Sequence, residues 1–538
     1  MPISQSDIKF RAPQRLTDFP DGGGLMTGDV IVDGQVNNVF SDISRIDRSA
    51  HDVSLREIFG HVGSSSDDLF TDAHTIIAKQ AADPNVSISA FVLANAAWGT
   101  RAQAKAYLEA GVSTGGGQLA KTWKNSSGGN PRPGHGQFQV PNGSLDGFSS
   151  AVFAYDEGSG SIDEGDFYFY IAAVQPDQEE AGFDLITMSS DPPFLVTTGG
   201  YDLLVTQPVS GGLSRVYSCA DFSAGAVEDD TDISLVSTKV AVGPDTTAVN
   251  PEVVGIDPGR LPEGGLMSQF ATGDLVVIHN TDSDTMPNPV SADQTVALSR
   301  INLAAVRLED QDGVVVPPDG VYTVDLAAGE ITFDSGLDLS GYTQPLVAYH
   351  RIEHRDTITG VTDTSISINL GLSRDFGASS KASAAIYHGN LKARYTNLFD
   401  QQVWNNNWED DVEDGEDPAS ATYDDITYPI ELTNLGCQTH RWAIVFTGTT
   451  TFNVHNEDRG VVASGDTGTD LTVQNPLTGE DYFTLRAAGW GAGWINGNVL
   501  RFNTIAAAPH IWLNRTVIAA EAVQSDDQGQ VEFRGDSG

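Results

Sequence analysis

Cysteine is almost absent: Cys219 and Cys437 are the only two among 538 residues. Two lone cysteines form neither a disulfide framework nor, by themselves, a zinc site, so both read as buried reduced thiols. Basic residues are scarce as well. Lys and Arg number 29 against 73 Asp and Glu, a formal net charge of -44. A field of that sign repels nucleic acid and anionic membrane surfaces. No local basic stripe offsets it, so neither is expected as a partner. The longest apolar stretch, from Ile88 to Trp98, is too short to span a bilayer and is broken by Asn95. The opening Met1-Pro-Ile-Ser-Gln-Ser-Asp has no positive segment leading into an apolar one, so no signal peptide is read there. The expectation is a soluble protein that folds in a cytoplasm.

Motifs that mark a reaction are also missing. There is no His-Glu-x-x-His and no phosphate-cradling Walker loop. Gly111-Val-Ser113-Thr-Gly115 matches a nucleophile elbow in letters only. An elbow needs a strand before the serine and a helix after it, and here a predicted helix precedes. His350-Arg-Ile-Glu-His354 follows the strand-like Pro345-Leu-Val-Ala-Tyr. In a strand the two histidines sit about 13 Å apart on one face, too far for one metal, so packing is the better reading. The run Trp408-Glu-Asp-Asp-Val-Glu-Asp-Gly-Glu-Asp is the densest in acid. Setting Gly415 as an EF-hand glycine places Val412 and Ala421 where oxygen ligands are required, so that reading fails. A solvated loop is expected, with calcium at such acidic loops as the weaker alternative. Asp156-Glu-Gly-Ser-Gly-Ser-Ile-Asp-Glu-Gly-Asp reads as an acidic turn in the same way. No catalytic, cofactor-binding or metal residue is assigned, and the chain is not expected to be an enzyme. Arg534-Gly-Asp536 is given no adhesion role.

What is present is strand. Val30-Ile-Val-Asp-Gly, Phe167-Tyr-Phe-Tyr-Ile-Ala-Ala-Val, Leu275-Val-Val-Ile-His and Val321-Tyr-Thr-Val-Asp-Leu are β-branched or aromatic and lie between Gly, Pro, Asp or Asn. Leu326-Ala-Ala-Gly-Glu reads as the turn of a hairpin joining Tyr322-Thr-Val-Asp to Ile331-Thr-Phe. The expected fold is mainly β and multi-domain. It is built of β-sandwich or barrel-like modules with few short helices and long Gly/Pro-rich loops.

At roughly 150 residues per domain, three or four domains are expected. Pro-rich punctuation near Asp257-Pro-Gly-Arg-Leu-Pro and the acidic stretch from Asn405 to Ser420 place boundaries at about 250 and 425. The segments are 1–250, 251–425 with an acidic linker at its end, and a sandwich-like 426–538. A helix is predicted from Arg101 to Ala110, capped by Thr100 and ended by Gly111. A second is predicted from Asp72 to Gln80. Residues from about 115 to 144 are rich in Gly, Ser, Asn and Pro and read as an extended arm. Gly23-Gly-Leu-Met is echoed by Gly264-Gly-Leu-Met, which reads either as a duplicated module or as chance.

The aromatic residues that stand out are Trp404, Trp408, Trp490 and Trp494. Trp490-Gly-Ala-Gly-Trp494-Ile-Asn-Gly-Asn lies between two strand-like runs. Each glycine costs a helix about 1 kcal/mol relative to alanine, so the block reads as a rigid loop of a β domain. The four tryptophans are candidate assembly or glycan contacts, against the simpler reading that they are core.

Asp21-Gly-Gly-Gly-Leu-Met-Thr-Gly, Val32-Asp-Gly-Gln-Val-Asn-Asn-Val-Phe-Ser-Asp-Ile-Ser, Leu398-Phe-Asp-Gln-Gln-Val-Trp and Gly489-Trp-Gly-Ala-Gly-Trp resemble a group of uncharacterised structural proteins of tailed bacteriophages infecting proteobacteria. The resemblance runs from about residue 5 through most of the chain and carries no active-site motif. It implies a virion part, in the tail, baseplate or neck, present in several symmetric copies. Its partners would be copies of itself and other virion proteins. A neck collar or decoration protein, and a host-glycan adhesin using the third segment, are the alternatives, with a glycan-cleaving tailspike behind them. The acidity suits either a saline habitat or an assembly bridged by ions.

Overall fold

A computed structural model describes residues 3–105, 219–236 and 270–537, short internal stretches excepted, with a few short strands between 123 and 267. The chain is mainly β and its long sheets are antiparallel, as the strand-forming runs predict. The nucleophile-elbow letters, the acidic turn after Asp156 and most of the 115–144 arm lie outside the described residues.

A six-stranded sheet runs in the order Leu266–Met267, Val86–Val92, His510–Val517, Asp52–Val62, Ile8–Arg15, Gly23–Val30. The two Gly-Gly-Leu-Met segments thus contribute its opposite edges. A ten-stranded sheet is built along Asp232–Ser234, Ser365–Ile368, Val347–Val361, Leu275–Thr285, Lys381–Leu391, Phe70–Lys79 and Gln530–Ser537. The third large unit is a five-stranded sheet, ordered Arg394–Gln401, Val499–Ile505, His440–Phe446, Thr451–Asn456, Gly460–Asp466. The hairpin Leu471–Gln474 and Asp481–Leu485 covers it, and Trp442, Phe446, Phe452, Phe483 and Phe502 fill the space between as one core. Thr451–Asn456 alternates exposed or half-buried with buried residues, the period of a strand with one face on a core.

Hydrogen bonding crosses both expected boundaries. His510–Val517 and Gln530–Ser537, late in the chain, complete sheets begun by its first strands. Arg394–Gln401 pairs with Val499–Ile505 across position 425.

The hairpin at Tyr322–Asp325 and Glu330–Phe333 forms as predicted. Asp325 closes its turn, accepting from the Ala328 and Gly329 N–H groups at 2.8 Å each. The helix at Arg101 begins as expected: residues 101–105 are helical. Thr100 and Gln103 form a reciprocal capping box, with Oε1 of Gln103 taking the Thr100 N–H at 2.8 Å. Its continuation lies outside the described residues. The helix predicted from Asp72 to Gln80 is instead the strand Phe70–Lys79. Thr75, Ile76 and Ile77 are β-branched, and strands bond on both sides of this segment, which leaves no room for helical periodicity. One helix was not anticipated: Arg45–Ala50, where Ser44 and Asp47 cap each other.

Candidate functional site

The Trp490 loop is a packed corner. Gly489 lies against the ring of Tyr423, and a Cβ there would come within 2.5 Å of it; only glycine permits that approach. Trp494 is 2% exposed and stacks flat on Phe446, with centroids 4.3 Å apart. Trp490 is half-buried and meets Tyr423, Phe446 and Trp494 nearly edge-on. Asn498 fastens the loop by accepting from Ile495 N at 3.0 Å and donating to Gln402 O at 2.9 Å. As a contact residue for a partner or a glycan, Trp494 is therefore corrected: its ring faces the core.

Trp404 and Trp408 form a second pair, both half-buried and meeting edge-to-face at 5.1 Å. His455 borders Trp404 at 5.2 Å, and the Trp404 indole N–H donates to Asn407 O at 2.9 Å. Beneath them lies Arg501, which the sequence reading passed over. Its guanidinium is buried and donates to Asn407 O and Glu409 O at 2.8 Å each. It also sits 5.3 Å from the rings of both Phe399 and Trp408. Burial lowers its pKa from the ordinary range. The available signal was a lone arginine inside the apolar strand Val499-Leu-Arg-Phe.

The acidic run after Trp408 is engaged with protein donors. Asp410 accepts from Arg441 Nε at 2.8 Å and Asn503 Nδ2 at 2.9 Å. Burial pushes its carboxyl up, but those bonds outweigh it and hold it below the usual range. Glu413 takes the Asn405 side-chain amide, and Glu416 takes the Val403 N–H. Among the described residues no group of three or more His, Cys, Asp or Glu is placed to hold a metal ion.

His350 and His354 keep separate partners, as strand geometry requires. His350 faces Asp284 and Ser299, while His354 faces Asp356 and Ser373. Cys219 and Cys437 are buried and in no disulfide, and burial pushes their thiols up to about 11 and about 12. At those values the nucleophilic thiolate is scarce.

A polar assembly among the described residues is one that no local pattern announced. Arg351 and Glu353 of Val347–Val361 meet Glu532 and Arg534 of Gln530–Ser537. Arg351 pairs with Glu532 at 2.7 Å and Arg534 with Glu353 at 3.0 Å. Arg355 pairs with Asp536 at 2.9 Å. These strands stand four steps apart in the sheet order. A flat sheet would hold them about 19 Å apart, so the sheet curls until its strands meet through ion pairs, in the manner of a barrel. Facing pairs Glu353–His279 and His74–Arg534 line the same inner side. Burial lowers the pKa of His74, and burial with Arg351 and Arg534 nearby takes His279 well below the ordinary value. Burial pushes Glu532 up, but Arg534 and Arg351 together hold it below a normal glutamate. Both charges of the Arg-Gly-Asp tripeptide are thus engaged in ion pairs, Arg534 partly buried and Asp536 at the surface.

A second buried pin joins early and late strands. Glu57 accepts from Gly24 N and Gly99 N at 2.9 Å and faces His510 Nδ1 at 3.1 Å. Desolvation raises its pKa. Glu57 and His510 are 453 positions apart in sequence, and only the pairing of Asp52–Val62 with His510–Val517 brings them together.

No family model matches the chain, and no curated protein matches it. No described helix is long and apolar enough to cross a membrane.

Proposed function

We propose that this chain is a structural subunit of a tailed-bacteriophage virion, in the tail, baseplate or neck. It would fold in the host cytoplasm and act by symmetric association with copies of itself and other virion proteins, not as an enzyme. One observation carries the reading. The two late sequence blocks that resemble phage structural proteins, Leu398-Phe-Asp-Gln-Gln-Val-Trp and Gly489-Trp-Gly-Ala-Gly-Trp, build one corner. Asn498 of the Trp490 loop bonds Gln402, and Arg394–Gln401 pairs with Val499–Ile505. What resembles the group is a braced wall of aromatic side chains, which suits a load-bearing module reused by symmetry. The test is quantitative mass spectrometry of purified virions together with sedimentation of the isolated chain. A copy number matching a ring symmetry is expected. Absence of the chain from particles of a phage that encodes it would end the proposal. Dissociation of the oligomer by chelator at low salt would identify cation bridges between its acidic surfaces.

A collar or decoration role differs from this only in position. The half-exposed Trp404–Trp408 pair beside His455 favours a second reading, a host-glycan adhesin, because aromatic faces suit sugar rings. A glycan array probed with the intact chain separates them: saturable binding that Trp404→Ala abolishes supports the adhesin.

A further inference from the structure

Gln530–Ser537 bonds a single neighbour, Phe70–Lys79, and its ladder is interrupted between Gln530 and Val531 and between Arg534 and Asp536. Side chains anchor it instead. Phe533 seats over Gly60, where an added Cβ would lie 2.7 Å from the ring, and is bordered by Phe10, Phe70 and His388. Glu532 takes Arg351, Arg534 takes Glu353, and Asp536 takes Arg355. Just upstream, Asp527 accepts the backbone N–H groups of Ala82 and Asp83 at 2.5 and 2.7 Å. An aromatic knob, a fixed charge pattern and one ladder are the elements by which a sheet edge recognises an extended peptide.

An empty seat is unfavourable, because Arg351 would lose one of its two carboxylates and Phe10 and Phe70 would lose the Phe533 ring that packs on them. The stable states are those in which some strand of this sequence fills it. Ten residue steps separate Val517 from Asp527, a span of at most about 35 Å when extended. Copies carrying a net charge of -44 repel at their surfaces, which favours a link made by a bound strand over one made by apposed faces.

We propose that this seat accepts the Gln530–Ser537 strand of a second copy of the chain as well as its own, so that copies are joined by strand exchange. The inference needs no virion and stands or falls apart from that reading. Gln530 and Lys79 are facing residues in the ladder and both are exposed, so a disulfide between them reports occupancy. Chains carrying Lys79→Cys alone and Gln530→Cys alone are mixed at high concentration under oxidising conditions, with Cys219→Ser and Cys437→Ser in both. A disulfide-linked heterodimer is the expected product. Its absence, while the double variant Lys79→Cys/Gln530→Cys closes within its own chain, overturns the proposal. A labelled peptide of residues 527–538 added to the intact chain reads the same seat by competition. Saturable capture, weakened at least tenfold by Phe533→Ala in the peptide, is expected; no capture, or capture indifferent to Phe533, also overturns it.

Discussion

The 440–505 sandwich and the curled sheet are closed by opposite kinds of chemistry. In the sandwich, Trp442 meets Tyr482 and Phe483 nearly edge-on at 5.0 and 4.8 Å, and Trp494 stacks on Phe446. Its core is a set of neutral rings, held by area removed from water and by ring geometry. In the curled sheet the meeting strands are joined by Arg351, Glu353, Glu532 and Arg534, with neutral histidines packed around them. Stability in the first depends on shape. In the second it depends also on protonation state, because each buried charge is tolerated only while its partner keeps the opposite sign. One chain therefore contains a module closed chiefly by ring packing and one closed chiefly by paired charge.

The largest effect should come from breaking the aromatic core. Trp442→Ala removes a fully buried ring and should cost about 3–5 kcal/mol, read by urea unfolding of the sandwich signal. Arg351→Met should cost nearly as much, about 3–5 kcal/mol, because Glu532 and Glu353 lose their shared cation. Replacing both ends, with Glu532→Leu added, should recover part of that loss. A double-mutant cycle measures the coupling, and strict additivity would show that the pair does not act as a unit.

Acid should then separate the two regions. His388 of Lys381–Leu391 is buried in the curled sheet, and desolvation lowers it to about 3. An unfolded histidine titrates near 6.5, so below that pH the unfolded chain binds more protons than the folded one. The His388 contribution is fully present above about 6.5 and is lost as pH falls toward about 3. Hydrogen exchange at pH 7 and pH 5 checks it: Phe70–Lys79 and Gln530–Ser537 should lose protection while His440–Phe446 keeps it. Equal loss in both would end the comparison. Gly60→Ala should cost about 1–3 kcal/mol by crowding Phe533, and Phe533→Leu should relieve it. Smallest of all, Ile426→Ser at a site 92% exposed should change stability by no more than about 0.5 kcal/mol.

Some elements were legible because their cause is local. The Tyr322–Phe333 hairpin follows from turn residues a few positions apart, and the start of the 101–105 helix follows from Thr100 and Gln103. The Trp490 block was readable as a rigid loop because three glycines and two tryptophans exclude helix. Phe70–Lys79 was misread because Asp72, Ala73, Ala78 and Lys79 suit a helix surface, while the strands that bury it lie hundreds of residues away. Arg501 carries no local mark of its role, since only tertiary packing sets it under Trp408.

By itself the sequence determined the β class, the acidic surface, the two inert thiols and the loop character of the tryptophan block. Composition and short-range sterics suffice for these, since each depends on residues within one turn or strand. Only the tertiary structure decided which tryptophans face inward, that the Arg-Gly-Asp tripeptide is tied into ion pairs, and that a curled sheet is closed by charge. Arg351 and Glu532 are 181 positions apart, and no local rule selects one carboxylate among 73 acidic residues. That choice is made when the strands pair and burial makes every unpartnered charge costly.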